Sequence, residues 1–233
     1  EESCDVYFYD LAYRMGIDRL HDFTAPFGLG KLTGIDTTNE RRGILPSRQW
    51  KRAARGEPWY PGETVIVGIG QGHMLTTPIQ LAMAAAILAT RGLHYPPRLL
   101  AEVDGIPLQR AAPTLVEASD EHWAEVHNGM HAVLQGKRGS ARAAAVGANY
   151  QMAGKSGTAQ VVGIAQDAEY DAEVISERHR DHGLFIAFAP LEDPEIAVAV
   201  VVENGGGGSS VAAPIARKVM DSYLLRNSGE AGG

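Results

Sequence analysis

Residues 152–163 read MAGKSGTAQVVG, a run of small and β-branched side chains with a lysine and two hydroxyl residues near its start. Such side chains favour a β-strand. Alternation along a strand places Ser156 and Thr158 on one face and Lys155 on the other, unless a bulge or twist turns the lysine inward. A lysine, two hydroxyls and Gly157, which lets a backbone approach closely, can together bind a carboxylate. The alternative is an ordinary surface lysine at the start of a strand.

The hydrophobic pattern outside this stretch predicts helices before and after a small group of strands. The predicted helices cover residues 5–15, 18–27, 79–90, 119–135 and 213–226, and the predicted strands cover 150–162, 184–189 and 196–203. Residues 29–64 are rich in Gly, Pro, Thr and Arg and are predicted to form a long loop with short helical turns. Helices followed by a strand meander and a closing helix indicate an α+β fold, in which helices flank an antiparallel sheet.

Composition places the chain among globular proteins and narrows the classes of function. The 233 residues are 45% hydrophobic and carry a net charge of −7, which argues against a nucleic-acid-binding surface. Cys4 is the one cysteine, so no disulfide forms within the chain. No apolar run is long enough to span a bilayer. We expect one domain over residues 1–227, a flexible tail over 228–233, and an N-terminal part that precedes Glu1.

A second short motif, Ser3-Cys4-Asp5, stands at the predicted start of the first helix. Serine and aspartate commonly cap helices, so Ser3 or Asp5 has a plain structural explanation. A Ser-x-[Asn/Asp] motif followed later by Lys-[Ser/Thr]-Gly on a strand also resembles two of the three motifs of the serine penicillin-recognising enzymes. The presence of both motifs in one chain favours a catalytic site over a capped helix.

Longer stretches carry a more specific resemblance. They are EESCDVYFYDLAYRMGIDRLHDF, EPWYPGETVIVGIGQGHMLTTPIQLA, GKSGTAQV, ERHRDHGLFIAFAP and VAVVVENGGGG. These stretches resemble the class B penicillin-binding proteins, most closely the elongation type called penicillin-binding protein 2 in Gram-negative bacteria. The resemblance covers nearly the whole chain and is weakest over residues 98–148. It implies the penicillin-binding, β-lactamase-like transpeptidase fold, truncated at its N-terminus.

The resemblance implies a peptidoglycan D,D-transpeptidase, which cross-links the cell wall during elongation and is a β-lactam target. In this family a nucleophilic serine attacks the D-Ala-D-Ala stem peptide, releases the terminal D-Ala, and passes the acyl group to an amine of a neighbouring stem. The implied partners are the stem peptide, β-lactams, a membrane glycosyltransferase and elongation-complex proteins, with no nucleic acid. The implied location is the periplasmic face of the bacterial inner membrane.

Catalytic roles follow from matched positions in the family. Ser3 corresponds to the serine that relays a proton between the catalytic lysine of the nucleophile motif and the leaving nitrogen. Asp5 stands where many relatives carry asparagine, and it would hydrogen-bond that lysine and steer the substrate. Lys155 would add positive charge that favours the donor carboxylate and tunes Ser3.

Substrate-binding roles fall on the three residues after Lys155. The hydroxyls of Ser156 and Thr158 would hold the donor carboxylate, and the backbone N–H of Thr158 would be one oxyanion donor. The edge strand from Gly157 to Val161 would pair with the donor peptide as an added strand.

The first family motif, Ser-x-x-Lys, is absent from this sequence, because no serine or threonine is followed by lysine three residues later. In the family this motif carries the nucleophile and lies N-terminal to Ser-x-Asp. We therefore expect this chain alone to be inactive, whereas the parent protein is a serine-type transpeptidase whose chemistry needs no cofactor.

Cys4 has a separate interpretation, since some relatives of the elongation type hold a zinc ion near the active site. There a cysteine at this place joins aspartates and a histidine from upstream, so the resemblance implies a structural zinc in the parent protein. One ligand cannot hold zinc by itself. The alternative is a buried small side chain.

Several other features have weaker functional interpretations. Residues 70–72, Gly-Gln-Gly, lack the lysine and the spacing of a phosphate loop. His179 and His182 could form a metal pair but fit a solvated loop better, and residues 164–183 fit either a mobile lid or an exposed loop. At the level of the whole protein, the alternatives are a non-catalytic scaffold and a β-lactam-sensing receptor domain of the same fold.

Overall fold

The computed structural model describes residues 2–161 and 176–230, and it shows the mixed α+β architecture with antiparallel sheets that the sequence predicts. The helices are α1 (Asp5–Met15), α2 (Ile17–Thr24), α3 (Arg48–Arg55), α4 (Pro61–Val67), α5 (Pro78–Ala89), α6 (Asp120–Gln135), α7 (Arg142–Ala145) and α8 (Gly208–Glu230). The strands are β1 (Leu93–His94), β2 (Glu102–Val103), β3 (Ile106–Pro107), β4 (Thr114–Leu115), β5 (Ala153–Ala159), β6 (His182–Ala189) and β7 (Ile196–Val202). Two short 3-10 helices cover Ala25–Phe27 and Glu177–His179. Within these described residues no helix is both long and apolar enough to cross a membrane.

The helix prediction is confirmed for α1, α5 and α6, and the short helical turns predicted within residues 29–64 are found as α3 and the start of α4. The Ser47 hydroxyl caps α3 by accepting a hydrogen bond from the Trp50 N–H at 3.0 Å. Proline opens α4, whose Glu63 carboxylate accepts from the Tyr60 N–H at 2.8 Å. These helices have 8 and 7 residues, too few for a clear apolar period.

Other boundaries also differ from the prediction. β5 is shorter than residues 150–162, and α8 begins at Gly208 rather than at 213, so Pro214 lies inside the helix. α8 continues to Glu230, into the predicted tail, while residues 231–233 lie outside the described residues. Residues 162–175, which form most of the predicted lid, also lie outside the described residues.

The described chain divides into two compact units. The strand unit contains Ser3, Leu88–Thr90 and the described chain from Ala118 onward, and the helix unit contains Cys4–Ile87 and Arg91–Glu117.

The strand unit is built on an antiparallel sheet with the order β5-β6-β7. The side chains of Phe185 and Ala187 pack in a core with α6, α7 and α8, while Phe188 and Ile186 belong to a second cluster with Met130. β6 is therefore buried on both faces, which explains its continuous apolar sequence.

A polar cluster joins α8 to the segment that follows α7. The Arg217 guanidinium contacts the Asp221 carboxylate at 2.7 Å and donates to the carbonyls of Ala144, Val146 and Gly147. Burial raises the pKa of the Asp221 carboxyl, but hydrogen bonds from Arg217 and from the Tyr150 hydroxyl outweigh burial and hold that pKa below its usual value. The cluster satisfies the carbonyls at the end of α7 and keeps Asp221 ionised.

The helix unit contains a long irregular segment, residues 29–47, that is held in part by a buried side chain on α5. Gln80 on α5 is fully buried, and its Nε2 donates to the carbonyls of Lys31 at 2.7 Å and Arg42 at 2.8 Å. Its Oε1 accepts from the Thr77 N–H at 2.9 Å, which also caps the helix. The amide thus satisfies two backbone carbonyls of this segment, which also pairs with Leu75 through the backbone of Ile44.

Candidate active site

The Lys-Ser-Gly-Thr segment lies on β5, at one edge of the described sheet. Lys155 pairs in register with Ile186, Gly157 with Leu184 and Thr158 with Gly183. Lys155, Ser156 and Gly157 are half-buried and Thr158 is exposed. An edge strand with accessible hydroxyls can accept an extended peptide along its outer side, as the sequence predicts for residues from Gly157 onward.

Lys155 and Ser3 are 152 residues apart in sequence and are brought together within the strand unit. The Lys155 ammonium donates to Ser3 Oγ at 3.0 Å and to the Ser156 carbonyl at 2.6 Å. The Lys155 side chain is therefore turned toward Ser3, as a lysine that acts in the site requires. A lysine that donates to a serine hydroxyl stabilises negative charge on that oxygen, which suits a serine that passes protons.

The start of α1 does not show the helix cap that the sequence offered as the structural explanation of Ser3 and Asp5. Cys4 occupies the N-cap position and no side chain forms a capping hydrogen bond there, so neither Ser3 nor Asp5 caps the helix in the way a capping role predicts. Ser3 instead has φ of 56°, in the left-handed region that non-glycine residues seldom adopt. A strained serine in contact with Lys155 is typical of a functional site rather than a helix cap.

Asp5 and Cys4 follow Ser3 along the chain and belong to the helix unit. Asp5 is the first residue of α1, and both side chains are exposed, so the alternative of a buried Cys4 is wrong. Residues 2–161 and 176–230 contain no group of three or more His, Cys, Asp or Glu side chains that could hold a metal ion. The described residues around Cys4 therefore do not by themselves fit a zinc ion.

The two histidines considered as a metal pair contact other groups. His179 Nδ1 lies 3.2 Å from Ser176 Oγ, and His182 Nδ1 accepts from the Asn204 N–H at 2.9 Å. His182 is the first residue of β6, so its ring supports the turn after β7.

Ser140 is a site residue that the sequence reasoning missed. Its Oγ lies 3.3 Å from Ser156 Oγ, and it comes from the segment between α6 and α7, residues 136–141. From the same segment, Arg138 pairs with Glu2 at 3.0 Å, one residue before Ser3. No motif marks this serine, and it falls in the region where the family resemblance is weakest.

Gly157 and Gly154 differ in the space that surrounds them. A Cβ at Gly157 would meet only Leu184 Cβ, at 3.4 Å, whereas a Cβ at Gly154 would lie 2.8 Å from the Ile186 carbonyl and from the Phe185 ring. Packing within the described chain therefore requires a glycine at position 154 and not at position 157. The open space at Gly157 is available to a ligand that lies along β5.

We expect Gly154→Ala to lower the free energy of unfolding by about 1–3 kcal/mol through overpacking, and Gly157→Ala to change it by less than about 1 kcal/mol. Urea unfolding of the two variants, followed by tryptophan fluorescence, measures both values. Equal destabilisation by the two substitutions would mean that Gly157 serves packing, which would remove it from the candidate site.

Comparison with known proteins places this arrangement in a family. The penicillin binding protein transpeptidase domain matches residues 1–221. The peptidoglycan D,D-transpeptidase MrdA of Escherichia coli strain K12 is 43% identical over 230 residues, which are 97% of this chain and 36% of that protein. This chain thus spans about a third of the length of that curated relative.

Two solved structures of relatives also resemble the chain. Pseudomonas aeruginosa PBP2 in complex with WCK 5153 superposes with a TM-score of 0.82 at 48% identity, covering 95% of this chain and 47% of that one. PBP2 from Helicobacter pylori, in complex with MreC, gives a TM-score of 0.82 at 30% identity over 96% of this chain and 39% of that one. With a strained serine held against a strand lysine, and with this match over nearly its whole length, the chain belongs to the penicillin-binding protein transpeptidase domain family.

Proposed function

We propose that this chain is the C-terminal part of a serine-type peptidoglycan D,D-transpeptidase. The observation that carries the proposal is the contact of Lys155 Nζ with Ser3 Oγ, 3.0 Å apart beside an edge strand that bears two further hydroxyls. The family supports it, because relatives across the length of the chain are named peptidoglycan D,D-transpeptidases. The nucleophilic serine and its lysine would come from a Ser-x-x-Lys motif outside this sequence.

The proposed reaction has two steps, in which the residues of this chain bind the donor and move protons. The nucleophile's hydroxyl oxygen adds to the carbonyl carbon of the penultimate D-Ala, and the C–N bond to the terminal D-Ala breaks. Ser3 passes the proton released by the hydroxyl to the leaving nitrogen, and Lys155 stabilises charge on Ser3 Oγ. An amine of a neighbouring stem then attacks the ester carbonyl and restores the serine. Asp5 would hydrogen-bond the catalytic lysine.

The donor is held along β5 in this proposal. The hydroxyls of Ser156 and Thr158 bind its terminal carboxylate, next to the positive charge of Lys155. The Thr158 N–H donates to the oxyanion, and the backbone from Gly157 onward pairs with the extended stem peptide. A β-lactam carries a carboxylate and a reactive carbonyl at corresponding positions. It would therefore acylate the nucleophilic serine of the Ser-x-x-Lys motif and leave an ester that hydrolyses slowly.

The proposal also assigns to the whole protein the partners and the location that its family implies. The protein would work on the periplasmic face of the inner membrane with a membrane glycosyltransferase and other elongation-complex proteins. The relative from Helicobacter pylori, solved in complex with MreC, supports a partner of this kind. A structural zinc in the parent protein would use Cys4 together with ligands from outside this chain, and Cys4 is exposed and able to contribute.

Fluorescent-penicillin labelling tests the proposal on two proteins, this chain and the full-length protein that contains it. We expect a covalent label on the full-length protein that a second β-lactam prevents, and no label on this chain. Absence of label on a full-length protein shown to be folded would overturn the proposal and favour a non-catalytic scaffold. A label on this chain alone would place the nucleophile within residues 1–233 and contradict the assigned mechanism.

A further inference from the structure

The segment between α6 and α7, residues 136–141, packs on the end of α6 and contacts β5 at Ser156, the residue after Lys155. The Ala141 N–H donates to the Val133 carbonyl at 3.0 Å, and the Gly136 N–H donates to the Ala132 carbonyl at 2.9 Å. A Cβ at Gly139 would lie 2.4 Å from both of those carbonyls, so the segment lies flat on the end of α6. Ala141 itself is 2% exposed and belongs to the core of the strand unit. The position of Ser140 is therefore set by buried neighbours on one side.

The hydroxyl of Ser140, on residues 136–141, contacts β5. Its Oγ lies 3.3 Å from Ser156 Oγ, while Ser156 also accepts Lys155 at its carbonyl. A serine hydroxyl has one hydrogen to donate and two lone pairs that accept. If Ser140 donates to Ser156 Oγ, the Ser156 hydrogen is directed away from Ser140 and is available to an anion. Hydrogen bonds arranged in such a chain strengthen one another.

We propose that Ser140 is a positioning residue, whose hydroxyl orients the Ser156 hydroxyl so that it donates to the carboxylate of the donor. This inference rests on the proposed transpeptidase function and adds to it a residue from outside the three family motifs. The ion pair of Arg138 with Glu2 lies in the same segment, but its side chains are 77% and 50% exposed and it adds little. The proposal therefore depends on the hydroxyl of Ser140.

The test uses the full-length protein and compares Ser140→Ala, Ser140→Thr, Ser156→Ala and the double variant Ser140→Ala/Ser156→Ala. The readout is the second-order rate constant of acylation by benzylpenicillin and by its methyl ester, which lacks the carboxylate. We expect Ser140→Ala to slow acylation by benzylpenicillin about threefold to tenfold, as expected for one hydrogen bond. Ser140→Thr restores the hydroxyl and should restore the rate.

The ester and the double variant separate positioning from a general structural effect. With the methyl ester, Ser140→Ala and the native protein should react at the same rate. In the Ser156→Ala background, adding Ser140→Ala should cause no further loss, because Ser140 acts through Ser156. An equal loss with both penicillins, an additive double variant, or a native rate in Ser140→Ala would each overturn the positioning role. If the native full-length protein is not acylated at all, the proposed function fails and the inference fails with it.

Discussion

Replacing Lys155 with alanine in the full-length protein is expected to reduce the rate constant of acylation by a penicillin about 10²- to 10⁴-fold. The ammonium lies 3.0 Å from Ser3 Oγ and 2.6 Å from the Ser156 carbonyl, so in the proposed mechanism its loss removes the charge that stabilises proton transfer and attracts the carboxylate. The loss should appear in a time course of fluorescent-penicillin labelling.

Lys218→Ala is the matched control for this prediction. Lys218 is exposed on α8 and its replacement changes the net charge by the same amount. It should label within about twofold of the native protein, since a distant exposed charge is largely screened. Lys155→Arg keeps the charge but replaces the compact ammonium with a planar group, so we expect it to recover only part of the rate. A native rate in Lys155→Ala would refute the assignment of this lysine.

Replacing Gln80 with leucine is expected to lower the free energy of unfolding by about 1–3 kcal/mol. Leucine has a similar volume but offers no donor or acceptor. The carbonyls of Lys31 and Arg42 would lose a donor, and the Thr77 N–H would lose its acceptor. These hydrogen bonds are part-buried, and each group left without a partner costs up to about 1–3 kcal/mol where water does not replace the lost partner.

Urea unfolding measures the loss, and limited proteolysis should show faster cleavage within residues 29–47. Gln49→Leu on α3 is the control, because Gln49 is exposed and its substitution should change stability by less than about 0.5 kcal/mol. If Gln80→Leu unfolds at the same urea concentration as the native protein, the long segment is held by contacts other than this amide.

Local patterns in the sequence predict the bounds of the long elements but not those of the short ones. α5 has a threonine cap, a proline at its first position and an apolar surface on all sides, and these signals agree with one another. α3 and α4 depend on Ser47 and Pro61 within a stretch whose glycines and prolines favour a loop. α8 begins at Gly208, where a Cβ would clash with the carbonyls of Gly157 and Leu184, and this tertiary contact has no local signal.

The candidate site was predictable only in part. Lys155 and the hydroxyls behind it stand out by composition, but their link to Ser3 crosses 152 residues and came from the family resemblance rather than from spacing. The left-handed backbone of Ser3 and the contact of Ser140 with Ser156 depend on how α6 and β5 pack, which no pattern in the sequence specifies.

The position of β5 at the edge of the sheet has a consequence for inhibition. A strand that receives an extended chain through its backbone recognises main-chain geometry, which differs little from one extended peptide to another. Under the proposed function, a non-reactive peptidomimetic that carries a terminal carboxylate would therefore occupy the outer side of β5 and compete with β-lactams without forming an ester. Enzymes that hydrolyse the β-lactam ring would not recognise such a compound by that ring, so its selectivity would come from the side chains around Gly157 and Thr158.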